Sequence, residues 1–237
     1  MTAVPLEKDA VRGGMISVAG ELALCDRRGA LFFPDHGLLA VSDLHLEKGS
    51  SAARRGSLLP PYDTAATLAC LKTVIDDFSP KIVVSLGDSF HDGEGSARMP
   101  ELFRSRLAAL MAGRDWFWVS GNHDPDPPAG IGGDSVREIS VGSVLFRHEP
   151  SREAGEGEIA GHLHPCARIV QRGRSVRRRC FATDGSRVVM PAFGSYTGSL
   201  NVLDRAFAGL FRRDGFVAHM LGADRTYAIA GKRLLPG

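Results

Sequence analysis

The chain has 237 residues, of which 43% are hydrophobic, and its formal net charge is +2 at pH 7. This length suits one domain with a sizeable core, and no apolar run approaches the roughly 20 residues that a membrane helix needs, so we expect no membrane association. The four cysteines form no CxxC pair, which argues against a thiolate zinc site and favours reduced, buried side chains.

Residues 1–14 carry several charges and lack the apolar core of a secretory signal. We therefore expect a flexible tail over 1–14, a single domain over 15–237 and a cytoplasmic location. No repeat in the solenoid range and no linker indicates a second domain.

The first half of the chain alternates predicted strands and helices. In order, the elements are a hairpin within 15–33, a strand over 38–41, a loop over 47–61, a helix over 63–78, a strand over 82–86, a helix over 100–113 and a strand over 116–119. This β-α-β-α-β order implies parallel neighbouring strands with helices on a face of the sheet.

The second half consists mainly of short predicted strands separated by turn residues. They cover 136–139, 143–146, 158–160, 167–171, 176–182 and 187–190, followed by a terminal hairpin of 216–221 and 226–230. A mixed half followed by a strand-rich half predicts an α/β fold in which two packed β-sheets are flanked by helices.

Five of the apolar runs end in side chains that bind metals. These are Asp43 and His45; Asp88, His91 and Asp92; Asn122, His123 and Asp124; His148; and His162 and His164. Six of the eight histidines lie in these segments, and burying them beside carboxylates is costly unless cations compensate the charge. Nitrogen and oxygen ligands without thiolate suit manganese, iron, zinc or similar divalent ions.

The ordered set of motifs resembles the calcineurin-like metallophosphoesterase superfamily. The motifs that carry the resemblance are Asp43-x-His45, Gly87-Asp88, Gly121-Asn122-His123-Asp124, His148 and Gly161-His162-x-His164. The resemblance implies a two-sheet sandwich flanked by helices, in agreement with the strand pattern. It also implies two divalent metal ions per chain, with manganese the expected metal and iron, zinc or another ion as alternatives.

The resemblance further implies a role for each matching residue. The first metal would be held by Asp43, His45 and His164, the second by Asn122, His148 and His162, and Asp88 would bridge them. A hydroxide between the metals would attack phosphorus. His123 would protonate the leaving oxygen or stabilise its charge, and Asp124 would orient the His123 ring. The family often has an aspartate where this chain has His91, which leaves His91 and Asp92 as two candidates for support behind the ligands.

These roles require turns in the backbone. Side chains two positions apart on an extended segment point to opposite faces, so Asp43 and His45 can share an ion only if the chain turns after the strand. His162 and His164 can likewise address different metals only at a turn, for which Gly161 and Pro165 are suitable.

Two further stretches, 59–64 and 190–198, resemble the PdeM-like branch of ligase-associated DNA damage response endonucleases, which is distantly related to the Mre11/SbcD nucleases. This resemblance implies nucleic acid as the substrate. It also implies a DNA ligase, a helicase and an exonuclease of a repair system as partners.

Several basic residues are candidate contacts for a nucleic-acid backbone. Five arginines fall within 171–179, and of these we expect Arg172, Arg174 and Arg177 to bind substrate; the alternative is a charged edge that prevents aggregation. We also expect contacts from Arg54 and Arg55, and from Tyr196, for which burial in the core is the alternative.

The leading hypothesis is a metal-dependent phosphodiesterase, an endonuclease associated with DNA repair. The first alternative is a phosphatase acting on a small nucleotide or another phosphomonoester. The second, from another class, is a non-catalytic scaffold for repair proteins.

Overall fold

The structure is a computed structural model that describes residues 14–57, 59, 62–153 and 155–237. Its first strand begins at Gly14, so the predicted tail lies, except for this residue, outside the described part of the chain, as do the two prolines at 60 and 61. None of the helices in the described ranges has the length and apolar character needed to cross a membrane.

The first sheet has seven strands that lie side by side in chain order. They are β1 Gly14–Val18, β2 Glu21–Cys25, β3 Leu31–Phe33, β4 Leu38–Val41, β5 Ile82–Leu86, β6 Asp115–Val119 and β7 Asp134–Val136. The strands β1 to β4 pair antiparallel, whereas β4 to β7 pair in parallel. The carboxyl ends of four parallel strands therefore meet at one edge of this sheet.

The described chain contains four α-helices, all between β4 and β6 in the sequence. They are α1 Lys48–Arg54, α2 Asp63–Phe78, α3 Gly95–Arg98 and α4 Glu101–Met111. The bounds of α2 match the prediction, and its apolar face buries Leu68, Leu71 and Ile75. Single 3-10 turns occur later, at Arg205–Phe207 and Gly231–Arg233.

The predicted loop over 47–61 is wrong in its first half, because α1 occupies Lys48–Arg54. A segment rich in glycine and serine has low helix propensity, yet tertiary contacts can stabilise such a helix. Here Gly49 and Ala52 are buried, and the Gly49 amide donates to Oδ2 of Asp63 over 3.1 Å. Small residues thus allow α1 to pack closely against the start of α2.

The second sheet has nine strands. They are β8 Glu138–Val141, β9 Val144–Arg147, β10 Glu158–Ala160, β11 Pro165–Gln171, β12 Arg174–Thr183, β13 Arg187–Val189, β14 Leu200–Asn201, β15 Val217–Leu221 and β16 Thr226–Ala230. The single strand predicted over 136–139 is wrong. Val136 pairs with Val119 in the first sheet, and Glu138 pairs with Arg147 in the second, so the chain changes sheets at Arg137.

Apolar side chains fill the space between the two sheets and the space between the first sheet and its helices. Phe33 of the first sheet meets Phe146 of the second edge-to-face, with ring centroids 5.5 Å apart, and both are buried. On the other face, Leu39 and Trp116 join the buried side chains of α2 in one cluster. Full burial of a ring such as Phe33 contributes about 1.5–3 kcal/mol. The predicted α/β sandwich of two sheets with helices outside is confirmed.

Candidate metal centre

The predicted metal ligands come together where the two sheets meet. From the first sheet, Asp43 follows β4, Asp88 follows β5 and Asn122 follows β6. From the second sheet, His148 follows β9, and the segment after β10 carries His162 and His164. The geometry therefore unites side chains that lie far apart in the sequence.

One group of donors consists of Asp43, His45 and His164, whose ligand-type atoms all lie within 4.8 Å of one another. Nε2 of His164 is 3.2 Å from Oδ1 of Asp43 and 3.4 Å from Nε2 of His45. Asp43 is fully buried. Such a cluster of two imidazoles and one carboxylate suits a divalent cation.

A second group contains Asp88, His148 and His162, also within 4.8 Å of one another, and Asn122 adjoins it. Oδ1 of Asn122 lies 2.9 Å from Nε2 of His148 and 2.9 Å from Nδ1 of His162. The two ring nitrogens are themselves 3.2 Å apart. Three potential ligand atoms thus point at one small volume.

The Asp88 carboxylate lies between the two groups. Its Oδ1 is 3.5 Å from Nε2 of His148, and its Oδ2 is 3.9 Å from Nε2 of His45. The side chain is buried. Each oxygen therefore faces a different group, which is the placement expected of a carboxylate shared by two cations.

The hydrogen bonding of His148 fits a metal ligand. Its Nδ1 lies 2.9 Å from the carbonyl oxygen of Leu86, so a neutral ring carries its proton on Nδ1 and donates it there. Nε2 then presents a lone pair to the Asn122 oxygen at 2.9 Å, and two acceptors at this distance repel each other. A cation held by both atoms would remove the conflict, and a carbonyl that fixes the ring in this way is common behind metal-binding histidines.

The protonation states also suit metal binding, which requires neutral imidazoles and ionised carboxylates. Burial lowers the pKa of His45 to about 3, and burial together with the neighbouring His148 lowers the pKa of His162. Burial opposes ionisation of Asp43, but the hydrogen bond and charge of His164 outweigh it and lower the pKa of that carboxyl.

The backbone is left-handed at five of the predicted ligands. The φ angles are 52° at Asp43, 44° at His45, 47° at Asp88, 68° at His162 and 45° at His164. Residues other than glycine rarely adopt this conformation, which costs of order 1–3 kcal/mol each. These are the turns that the ligand roles require, because they let Asp43 and His45 converge while His162 and His164 face different groups.

One glycine permits the close approach of the two central loops. A Cβ at Gly121 would meet the backbone nitrogen and a carboxylate oxygen of Asp88. Any larger residue at this position therefore displaces the shared carboxylate.

His123 lies on the solvent side of Asp88, with its side chain 41% exposed. Its Nδ1 is 3.0 Å from the carbonyl oxygen of His91, and its Nε2 is 3.8 Å from Oδ2 of Asp88. The predicted role of Asp124 in orienting this ring is not what the geometry shows. Oδ2 of Asp124 instead accepts a 3.0 Å hydrogen bond from the Phe90 amide, because the carboxylate turns back towards the loop after β5.

The environment of Asp124 is unusual for an acid. Burial raises its pKa to about 7, and its Oδ1 is buried with no hydrogen-bond partner in the described chain. Through its hydrogen bond with the Phe90 amide, Asp124 anchors the loop after β5. The His123 ring is held instead by the His91 carbonyl.

His91 and Asp92, the two candidates for holding the predicted ligands in place, have different surroundings. The His91 ring stacks on that of His123, with centroids 5.5 Å apart, and with His45 and His123 it forms a third group of donors within 4.8 Å. Asp92 faces away and forms a two-pronged ion pair with Arg98, with distances of 2.8 and 2.9 Å. The contribution of His91 through its carbonyl had no signal in the sequence.

Of the basic residues expected to bind substrate, Arg55 lies beside the centre, 3.2 Å from Nε2 of His91. Arg54 forms an ion pair with Glu94 instead. Tyr196 is 51% exposed, so burial in the core is wrong for it, and its carbonyl accepts a 2.9 Å hydrogen bond from Nζ of Lys48. Lys48 is an additional cation near the centre, close enough to act on His91, and was not among the predicted substrate contacts.

The arginines of the hairpin between β11 and β12 are more distant. β11 starts at Pro165, next to His164, and ends at Gln171, which at about 3.3 Å per residue places Arg172 and Arg174 roughly 20 Å away along the strand. They therefore lie far from the predicted metal ligands, and their contact with substrate stays a prediction. Arg177 lies nearer the base of the hairpin and donates a 2.7 Å hydrogen bond to the Ser199 carbonyl.

Comparisons with known proteins identify the family of this chain. Residues 37–179, more than half of the chain, match the family model described as calcineurin-like phosphoesterase. Among solved structures, the crystal structure of the nuclease MPE from Pseudomonas putida is similar, with a TM-score of 0.70 and 24% sequence identity over 92% of this chain and 100% of that chain. No curated protein matches the sequence significantly. The chain therefore belongs to the calcineurin-like phosphoesterase family and is a metal-dependent phosphoesterase.

Proposed function

We propose that the protein is a phosphodiesterase that uses two divalent metal ions to cleave nucleic acid. The observation that carries this proposal is the position of Asp88, whose oxygens lie 3.5 Å from His148 and 3.9 Å from His45, one in each donor group. The similarity in fold to a bacterial nuclease supports the choice of substrate.

Each residue of the centre then has a defined task. One ion would be held by Asp43, His45 and His164 and the other by Asn122, His148 and His162, with Asp88 between the two groups. Two divalent ions at these positions would supply an activated water for attack on phosphorus and neutralise charge on the phosphoryl oxygens.

In this proposal His123 donates a proton from its Nε2 to the leaving oxygen. Since Nδ1 donates to the His91 carbonyl, the exposed Nε2 is the atom that can give a proton to the leaving oxygen. The hydrogen bond of Nδ1 and the stacked His91 ring hold the imidazole in this orientation.

Basic residues beside His91 favour an anionic polymer as substrate. Lys48 and Arg55 lie on the same side of the centre as His91, where they can contact phosphates adjoining the one that is cleaved. DNA as the polymer, manganese as the native metal, and a repair system of ligase, helicase and exonuclease as the setting complete the proposal. The polymer and the repair system rest on the sequence resemblance of the 59–64 and 190–198 stretches, and manganese rests on the ligand types and the resemblance to the superfamily.

The test uses purified protein with Mn²⁺ and four substrates: bis(p-nitrophenyl) phosphate, p-nitrophenyl phosphate, and single- and double-stranded DNA. We expect cleavage of the diester and of DNA that Asp88→Asn abolishes. Faster hydrolysis of the monoester than of either diester on the same preparation would favour the small-molecule phosphatase. Less than one bound metal per chain, together with no hydrolysis, would favour the scaffold.

A further inference from the structure

Arg137 is the single residue that joins the two sheets. β7 ends at Val136 and runs parallel to β6, so Arg137 leaves the first sheet at the edge where Asn122 leaves it. The Ser120 amide donates to the Val136 carbonyl over 3.0 Å, which keeps the two strand ends together. Like Asp43, Asp88 and Asn122, Arg137 thus follows a parallel strand at the same edge of the first sheet.

The second sheet brings Arg137 close to a ligand of the centre. Glu138 pairs with Arg147 at the start of the antiparallel β8–β9 ladder. Extending this register by one position sets Arg137 opposite His148, and residues opposite each other in such a ladder direct their side chains to the same face.

A cavity of about 300 Å³ opens between these residues. Its walls include Ser120, Asn122, Arg137, Arg147, His148 and Glu149. It therefore borders directly on the donor group of Asn122 and His148.

Two arginines line this cavity, and among the described residues only one of them is paired with carboxylates. Arg147 lies 3.0 Å from Glu138, which also lines the cavity, and 3.6 Å from Glu158. Arg137 is exposed and, within the described chain, makes neither a hydrogen bond nor an ion pair. A free guanidinium that borders an open cavity is suited to bidentate binding of a phosphate.

We propose that Arg137 and this cavity, the Arg137 subsite, bind the phosphate that neighbours the scissile one in a polynucleotide. The inference rests on the proposed function and adds a basis for preferring a polymer. Glu149 also lines the cavity, and its carboxylate disfavours a doubly charged terminal phosphate relative to a singly charged internal diester. The subsite therefore selects internal positions of a chain.

The test compares wild type with Arg137→Gln on three substrates. They are a short single-stranded DNA, the same DNA with neutral methylphosphonate linkages on both sides of one remaining phosphodiester, and bis(p-nitrophenyl) phosphate. We expect Arg137→Gln to lower kcat/KM on the DNA about tenfold or more, in the range of one lost arginine–phosphate contact, and to leave the small diester unchanged. Wild type should lose at least this factor on the neutral-flanked DNA, and the difference between wild type and Arg137→Gln should disappear on that substrate.

A binding measurement provides a readout independent of turnover. By fluorescence anisotropy in EDTA, Arg137→Gln should weaken DNA binding and reduce the salt dependence of log K by about 0.7, the contribution of one phosphate contact on single strands. Arg106→Gln, an exposed arginine on α4, is the matched control and should change neither quantity.

The outcomes separate this inference from the proposed function. Unchanged DNA cleavage by Arg137→Gln, or an equal loss on DNA and on the small diester, overturns the Arg137 subsite. Absence of DNA cleavage by the wild type overturns the proposed function instead, and the anisotropy measurement still decides whether Arg137 contacts phosphate.

Discussion

The backbone amide of His123 donates a 2.9 Å hydrogen bond to Oδ1 of Asp88. This bond ties the loop after β6 to the carboxylate that follows β5. It leaves Oδ2 directed towards His45, at 3.9 Å from Nε2. The carboxylate is therefore oriented by the backbone before any cation binds.

Asp88→Asn should keep this hydrogen bond and lose the charge shared by the two donor groups. We expect bound manganese to fall and kcat/KM on the diester to drop by at least about 100-fold, beyond the usual effect of residues behind the ligands. Metal analysis and steady-state kinetics measure the two quantities. Asp76→Asn removes an exposed carboxylate that pairs with Lys72 on α2 and should match wild type; retention of two metals and full activity by Asp88→Asn would contradict the assignment.

His123→Ala should retain bound metal and lose proton transfer. We expect kcat to fall about 10²–10⁴-fold with an alkyl leaving group, which needs a proton, and much less with nitrophenolate, which does not. The measurement is a comparison of the two leaving groups on one preparation, with bound metal quantified. Equal losses on both would assign His123 to metal binding or structure.

Gly121→Ala should disrupt the centre, because the added Cβ meets the backbone of Asp88. Reduced metal binding and a lower melting temperature are expected together. Gly93→Ala is the control, since nothing lies within 4 Å of the added carbon there. Normal metal content in Gly121→Ala would show that the loops after β5 and β6 can move apart without loss of metal binding.

Asp184 should make stability depend on acid pH. Burial opposes its ionisation, but hydrogen bonds from Ser186, Arg212 and Arg187 outweigh this and lower its pKa below the ordinary 3.8. The unfolded state therefore binds the proton more readily, and the stabilisation is present above about pH 4 and is lost as pH falls through the lower folded value.

Asp184→Asn removes the charge and the acceptor of the 2.7 Å hydrogen bond from the Arg212 amide. We expect a loss of about 1–3 kcal/mol in the free energy of unfolding at neutral pH. As pH falls from about 5 to about 3, the free energy of unfolding should decrease less for the variant than for wild type, as measured by denaturant unfolding. Parallel pH profiles of the two proteins would rule out this carboxylate as the cause.

The distal arginines should affect long substrates only. Because Arg172 and Arg174 lie at the far end of the β11–β12 hairpin, replacing both by glutamine should weaken binding of long DNA and leave bis(p-nitrophenyl) phosphate hydrolysis unchanged. Competition between long and short oligonucleotides measures the effect. A fall in small-diester turnover would place these side chains at the centre after all.

Much of the architecture and most of the centre follow from local patterns. Apolar runs that stop at a histidine, asparagine or aspartate mark strand ends, and parallel strands bring those ends to one edge. The ligand candidates Asp43, Asp88 and Asn122 were predictable for this reason, as was α2 with its helical spacing of buried leucines.

What the sequence did not reveal depends on packing or on the backbone. α1 forms from residues of low propensity because their small size allows contact with α2. The change of sheets at Arg137 occurs within an alternating pattern that has no turn signal. The His91 carbonyl orients His123, and a backbone acceptor leaves no trace in residue type.

The left-handed conformation at five of the predicted ligands implies that stability and metal binding make opposite demands on these positions. Each of those residues holds the chain in a shape that glycine would adopt more easily, and the surrounding sandwich must be rigid enough to impose it. A relative that is no longer selected for hydrolysis would become more stable if glycine replaced these residues. We therefore expect these positions to be the first to change when activity is no longer maintained.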